Sequence, residues 1–350
     1  MRVCAGCVAA QTGDRRLAVA AGFGAELAVV EADGAAAVVD AKAAKSMSNG
    51  APPPVVSVIV LTYNHAAFIT AALESVLMQV DAPPHEVLVA DDCSTDGARK
   101  CIAQAAAAHP GRLRLLDRPK NLGLSDNLQD AWRQCRGKYI ALLEGDDRWI
   151  DPRKLAKVTA ALEAHPEWTG CFHAVRPEGP PGRAVPERLP ADVSRESVTF
   201  EELIRRVVHV PTYSAVTYRR GIVPEFPAWH RRVACGDWGL HVLHAEHGPL
   251  GFLPDVMTAY RIHERGLWSS MDEVRRWQQT LSLWAALDVH YAGRYWQVIE
   301  EARNAFVVET QATLANLRKI ERRYHALGLH RVASAVKRLK EWFRRGPAEH

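Results

Sequence analysis

The chain has 350 residues, 48% of them apolar, which is ample for one large domain or two modest ones. A formal net charge of +4 with 24% charged residues excludes a polyanion-binding protein by overall composition. The excess sits at one end, with ten Lys or Arg against two Glu between Arg318 and Arg345. The seven cysteines are odd in number and show no framework, so they read as reduced thiols in a cytoplasm, and "CAGC" (4–7) is a lone Cys-x-x-Cys. No apolar run approaches the ~20 residues of a membrane-spanning helix, and the N-terminus makes a poor signal peptide.

Residues 1–54 form an Ala/Gly-rich extension that ends in the linker "SMSNGAPPP". Met47 opens a natural-looking start, so this segment is expected to be disordered or to precede the true start. From Val55 the pattern is regular. "VVSVIVLT" (55–62) is a buried strand, 66–80 has helical spacing, and "EVLVA" (86–90) is a second strand followed by a helix near 96–108. "RLRLL" (112–116) is a third strand, a helix follows near 125–135, and "KYIALL" (138–143) is a fourth strand. Strands apolar on both faces, alternating with amphipathic helices, predict an α/β fold: a Rossmann-like, mostly parallel sheet with helices on both faces.

In such sheets ligands bind beyond the carboxyl ends of the strands. Here those ends carry "TYNH" (62–65), "DDCSTDG" (91–97) and "EGDD" (144–147). Asp and Asn also cap helices and make turns, which accounts for Ser94, Thr95 or Asp151. It does not account for paired acids converging on one rim. Like charges this close repel unless a positive group sits between them.

The segments "VSVIVLTYNHAAFITAALESVL", "EVLVADDCSTDG", "NLGLSDN", "RGKYIALLEGDDRWIDPRKL" and "CGDWGLHVLHAEHGPLGFLPDVMTAYRIHERGLWSS" resemble, in order, the blocks of inverting family 2 glycosyltransferases. The resemblance covers residues 55–270 and implies the A-type glycosyltransferase fold; residues 271–350 lie outside it and read by pattern as a basic helical C-terminal extension. It implies a nucleotide-sugar donor, UDP-linked by expectation, and a divalent metal, Mg2+ or Mn2+, that neutralises charge on the departing diphosphate. By this resemblance Asp147 is the metal-contacting acid, with Asp146 beside the ribose or metal and Glu144 in an outer position. Asp92 matches the acid that accepts a uracil N–H, Asp91 braces the loop, and Thr62, Tyr63 and Asn64 form the other wall. Lys120 or Arg118 could reach the phosphates, although solvation explains either equally.

Asp237 matches the base that takes the acceptor's proton, and it could also be only an N-cap. Trp238 could stack on a sugar or pack. His241, His244 and His247 look like a metal run, but a helical i+6 residue is turned away from i, so they read as surface or core histidines. In the late loop, His263 is expected at the phosphate or metal, assisted by Arg261 and Ser269 or Ser270. "RPEGPPGRAVPERLPADVS" (176–194) reads as an irregular insertion shaping an acceptor pocket.

After 270 the pattern is helical, with Trp and Tyr stripes that read as packing. Residues 331–345 place Val332, Val336, Leu339 and Phe343 on one face and six Lys or Arg elsewhere. That fits peripheral contact with an anionic membrane, a docking helix, or an ordinary basic surface helix. Nucleic acid is not an expected partner, since nothing else forms a basic groove. The acceptor would be a saccharide, lipid-linked or protein hydroxyl, with a cytoplasmic location, peripheral at the inner membrane face if the tail binds lipid, and a role in cell-envelope polysaccharide. A non-catalytic glycan-binding module should have lost Asp147 or Asp237, and a nucleotidyltransferase should open on a Gly-rich loop that "VLTYNH" lacks.

Overall fold

The computed structural model describes residues 28–30, 37–39, 53–180, 185–190, 194–208 and 210–326. Cys4, Cys7, Met47 and the basic 331–345 segment lie outside them. Two compact units divide after Pro52. In the first, β1 (Ala28–Val30) pairs antiparallel with β2 (Ala37–Val39), a ladder where the sequence suggested no element.

The second unit is built on a nine-stranded sheet. Its first strands are β3 (Val56–Thr62), β4 (His85–Asp91), β5 (Leu113–Leu115) and β6 (Tyr139–Glu144), in the spatial order β5-β4-β3-β6 and all parallel. β3 is buried along its whole length. Its side chains alternate between two cores, with Ile59 and Leu61 on one face and Val56, Val58 and Val60 on the other. Helices α1 (Ile69–Leu77) and α2 (Ala98–Ala108) cover the valine face through Ile69, Leu73 and Ile102. Helix α3 (Leu124–Arg133) covers the other through Leu128 and Trp132.

Beyond β6 come the short β7 (Arg148–Trp149), helix α4 (Lys154–Ala164), β8 (Gly170–Glu178), β9 (Ser197–Val198) and helix α5 (Phe200–Ile204). β10 (Val216–Arg219) lies antiparallel between β6 and β8. Helix α6 (Gly236–Ala245) leads to β11 (Leu250–Arg261), which runs parallel to β8, while β7 and β9 pair antiparallel with β11. β3, β4, β6, β8 and β11 therefore all point one way, and their carboxyl ends share one rim: Thr62, Asp91, Glu144, Glu178 and Arg261.

Helices α7 (Glu273–His290) and α8 (Trp296–Ala326) follow. They are part of the main core, not an appendage, since Leu283, Trp284, Leu287, Ile299 and Phe306 pack in the same cluster as Ile59 and Trp132. Trp284 packs in this core and Trp277, Tyr291 and Tyr295 pack against it, whereas Trp296 is 57% exposed. The 176–194 stretch is less irregular than its composition suggests, because β8 runs through Pro177 to Glu178 and Val175 bridges Leu189.

The β8–β11 junction leaves no room at Gly251, where a Cβ would stand 1.9 Å from the Trp168 ring. That ring is held by stacking on His165 at 3.9 Å. Gly251→Ala should cost about 1–3 kcal/mol in chemical denaturation. Unchanged stability would show that Trp168 is free to move aside.

Candidate active site

The site begins where β6 ends. Gly145 donates its N–H to the Leu61 carbonyl at 2.6 Å, and a Cβ there would meet Thr62 at 2.8 Å, so the turn is pressed against β3. The three acids then part company. Glu144 faces an internal chamber and accepts the Thr212 hydroxyl. Asp146 accepts from His263 Nε2 at 3.0 Å, with His65 Nε2 at 3.7 Å. Asp147 is only 1% exposed and accepts the Arg261 backbone N–H at 2.8 Å. Burial, and then the neighbouring carboxylates, push Glu144 and Asp147 well above the usual range. Asp146 goes the other way: burial raises it, but the His263 hydrogen bond and the charges of His65 and His263 bring it below its ordinary value.

Arg261 closes this end, donating from Nη1 to the Asp146 carbonyl at 2.7 Å while its guanidinium lies 4.4 Å over the Phe68 ring. Ser269 Oγ donates to the His263 carbonyl at 2.6 Å, and Ser270 Oγ to that of Leu267 at 3.5 Å. The two serines thus brace the 263–270 loop, and only Ser269 also lines the chamber.

The second wall joins β3 to β4. Asn64, at φ 57°, accepts the Thr95 N–H at 2.8 Å, and its own N–H reaches Ser94 Oγ at 2.8 Å. Asp91 is fully buried beneath, accepting the Ser94 hydroxyl, which is the bracing role expected of it. Asp92 is itself a brace: its two oxygens accept the N–H groups of Leu122 (2.7 Å) and Gly123 (2.8 Å). A carboxylate has further lone pairs, so this does not prevent it from accepting a base N–H. Thr62 is buried, Tyr63 is 47% exposed and Lys120 is exposed. Arg118 is buried and committed to Asn127 (2.8 Å) and Asp130 (2.7 Å).

Asp237 stands in the first turn of α6 at the chamber wall, accepting the Trp238 N–H at 2.8 Å. Burial pushes its carboxyl up to about 6. The indole of Trp238 donates to the Leu203 carbonyl at 3.0 Å and meets Trp284 edge-on, so it packs as well as lining the chamber. His241 and His244 are core residues, buried against Tyr218. The chamber is partly open to solvent and has a volume of about 490 Å³.

Among the described residues no three His, Cys, Asp or Glu side chains form a ready cage for a metal. Asp146 lines the chamber, and its imidazole partner His263 meets it at 3.0 Å with a side chain 16% exposed. Glu144, Asp146 and Asp147 are gathered at the end of one strand, so added positive charge fits here. Asp147, first in the sequence reading for this role, is 1% exposed; its Oδ1 accepts the Arg261 N–H, and its buried Oδ2 has no hydrogen-bond partner. Sequence reasoning also assigned no role to His65 or Thr212: His65 ends the "TYNH" stretch without any pattern of its own, and Thr212 reaches Glu144 only through the fold.

A family model described as glycosyl transferase family 2 matches residues 57–224. An uncharacterized protein of Mycobacterium tuberculosis is 35% identical over 259 residues, covering 72% of this chain and 73% of its own length. Among solved structures, S. aureus TarS 1–349 in complex with UDP-GlcNAc has a TM-score of 0.50 at 21% identity, over 69% of this chain and 73% of that one. The mannosyltransferase PcManGT of Pyrobaculum calidifontis, in complex with GDP-Man and Mn2+, also has a TM-score of 0.50 at 21% identity, over 85% and 92%. These likenesses concern the fold, which is the A-type glycosyltransferase fold.

Asp92→Ala should leave the half-buried Leu122 N–H without its acceptor and the exposed Gly123 N–H with Asn121 Oδ1 alone, lower stability by about 0.5–1.5 kcal/mol and weaken UDP binding in calorimetry. An unchanged UDP dissociation constant would reject a role for Asp92 at the base.

Proposed function

Since the chain belongs to glycosyl transferase family 2, we propose that it moves a sugar from a nucleotide-sugar, a UDP-sugar in our reading, to a hydroxyl acceptor with inversion at the anomeric carbon. The observation that carries this is the placement of Asp237. It stands on the wall of the same chamber that Glu144 and Asp146 enter, with its basicity raised by burial.

The nucleoside lies between the Thr62–Asn64 and Asp92 loops, and the diphosphate extends toward Asp146, Arg261 and His263, with Lys120 at the outer edge. A divalent cation, Mg2+ or Mn2+, held by Asp146 and His263 would offset the charge that builds on the departing diphosphate. The bound Mn2+ of PcManGT accords with this. Asp147 holds the Arg261 backbone and so keeps the late loop against the acids. Ser269 and Ser270 fix the same loop through its own carbonyls.

Asp237 removes the acceptor proton as the acceptor oxygen attacks the anomeric carbon from the side opposite the diphosphate. One C–O bond forms, the C–O bond to the diphosphate breaks, the proton ends on Asp237 and the nucleoside diphosphate leaves. A single displacement inverts the centre. Trp238 presents its ring to the acceptor sugar beside this carboxylate. A place in cell-envelope polysaccharide synthesis rests on the family resemblance and the basic C-terminal stretch.

Asp237→Asn keeps the shape and removes the base. It should bind UDP normally and lose about 10²–10⁴-fold in transfer. Normal turnover would eliminate Asp237 as base. Because the base acts ionised and its value is raised to about 6, transfer should rise with pH through about 6 and fade below it. A rate flat from pH 5 to 7 would contradict that assignment.

A further inference from the structure

The chamber has two unlike ends. Glu144, Asp146 and Asp237 occupy the donor end, and at the far end Arg206 and Arg276 line the wall among apolar side chains from α7 and α8. Arg205 also reaches it but is committed to Glu201 (2.7 Å) and Glu301 (2.9 Å). Glu309 lines the same end and offsets part of the charge there.

Arg206 is placed there at a conformational cost. It follows the end of α5 with φ 56°, a left-handed conformation in which glycine is the customary residue after a helix. That backbone sends its guanidinium over the rings of Trp238 (5.1 Å) and Phe306 (5.5 Å), both of which line the chamber. The residue is exposed, and a guanidinium carries five N–H groups in one plane, the geometry that grips a phosphate or carboxylate. Arg276 donates one N–H to the Met271 carbonyl at 2.8 Å, while its buried Nε has no hydrogen-bond partner. Strain retained at a cavity wall points to use of the residue it holds.

We propose that the acceptor is an anionic glycan, carrying a phosphate or carboxylate that Arg206 and Arg276 hold at the far end of the chamber. The inference rests on the glycosyltransferase reading above. The two ends then orient the acceptor. Its negative group is drawn to the guanidiniums, away from the diphosphate, and its sugar face lies along Trp238. The reacting hydroxyl is thereby turned toward Asp237. A volume of about 490 Å³ suits a small saccharide portion of such a molecule.

The test uses the full chain saturated with UDP and Mg2+, and measures dissociation constants for methyl β-glucoside, methyl β-glucoside 6-phosphate and methyl β-glucuronide by saturation-transfer NMR. At least one anionic glycoside should bind about tenfold more tightly than the neutral one, a preference that weakens with added salt. Whichever of the two binds tighter identifies phosphate or carboxylate as the recognised group. Arg206→Gly suits the backbone conformation, so the fold is kept; it should abolish most of the preference, and Arg206→Lys should restore part of it. Equal binding of all three glycosides, a preference that survives Arg206→Gly, or displacement of the anionic glycoside by excess UDP would each overturn the proposal. Failure of UDP to bind would count against the donor reading alone. The three glycosides are then compared on the free chain, where the same preference and its loss in Arg206→Gly decide the matter.

Discussion

Three carboxylates at the end of one strand are the constraint around which the second unit is arranged. At an effective dielectric near 20, two unit charges 4 Å apart repel by about 4 kcal/mol, so such a cluster persists only if each member is handled separately. Each is. Thr212 holds Glu144, the imidazoles of His65 and His263 hold Asp146, and the backbone of Arg261 holds Asp147. Beneath them Lys154 is fully buried, its ammonium donating to the Ser214 carbonyl at 2.7 Å and standing over the Trp149 ring at 3.9 Å. The same carbonyl accepts Thr258 Oγ1 at 3.1 Å, which ties the 213–215 turn to β11.

Those holding groups come from distant parts of the chain, and this explains the topology that brings them together. β10 inserts antiparallel between β6 and β8, which sets the Thr212–Ser214 turn directly beside the acids. β11, parallel to β8, delivers Arg261 and His263 to the same rim as Glu144. Helices α7 and α8 complete the chamber wall with Trp284, Ala302 and Phe306, residues that also belong to the core. The parts of α7 and α8 that line the chamber thus belong to the same core as the sheet they cover.

The parallel half of the sheet was legible because β3, β4 and β6 are continuous apolar runs and α1 to α3 have clear one-sided periodicity. The order of the rim loops could be read too, since each strand ended on acids or small polar residues. β8 and β10 were not legible: "GCFHAVRPE" and "VTYR" carry a buried His, an exposed Arg176 and a half-buried Arg219, which break both the apolar run and the alternation that mark a strand. The division of labour within "EGDD" was equally hidden. Which carboxylate looks outward depends on Gly145 pressing against Thr62 and on an N–H supplied 114 residues later by Arg261, and neither leaves a local pattern. Arg206 escaped for the same reason, because its role follows from a left-handed backbone and two rings brought near by folding.

The most direct test of a cation-assisted diphosphate site at these acids is thermal unfolding of the full chain with UDP, with Mn2+, and with both. A ligand that binds only the native state raises its stability by about 2.7 kcal/mol at one hundred times its dissociation constant. If Asp146 and His263 share a cation with the diphosphate, UDP and Mn2+ together should raise Tm by several degrees, well beyond the sum of their separate effects. Equal stabilisation by UDP in the presence of excess EDTA would contradict that account.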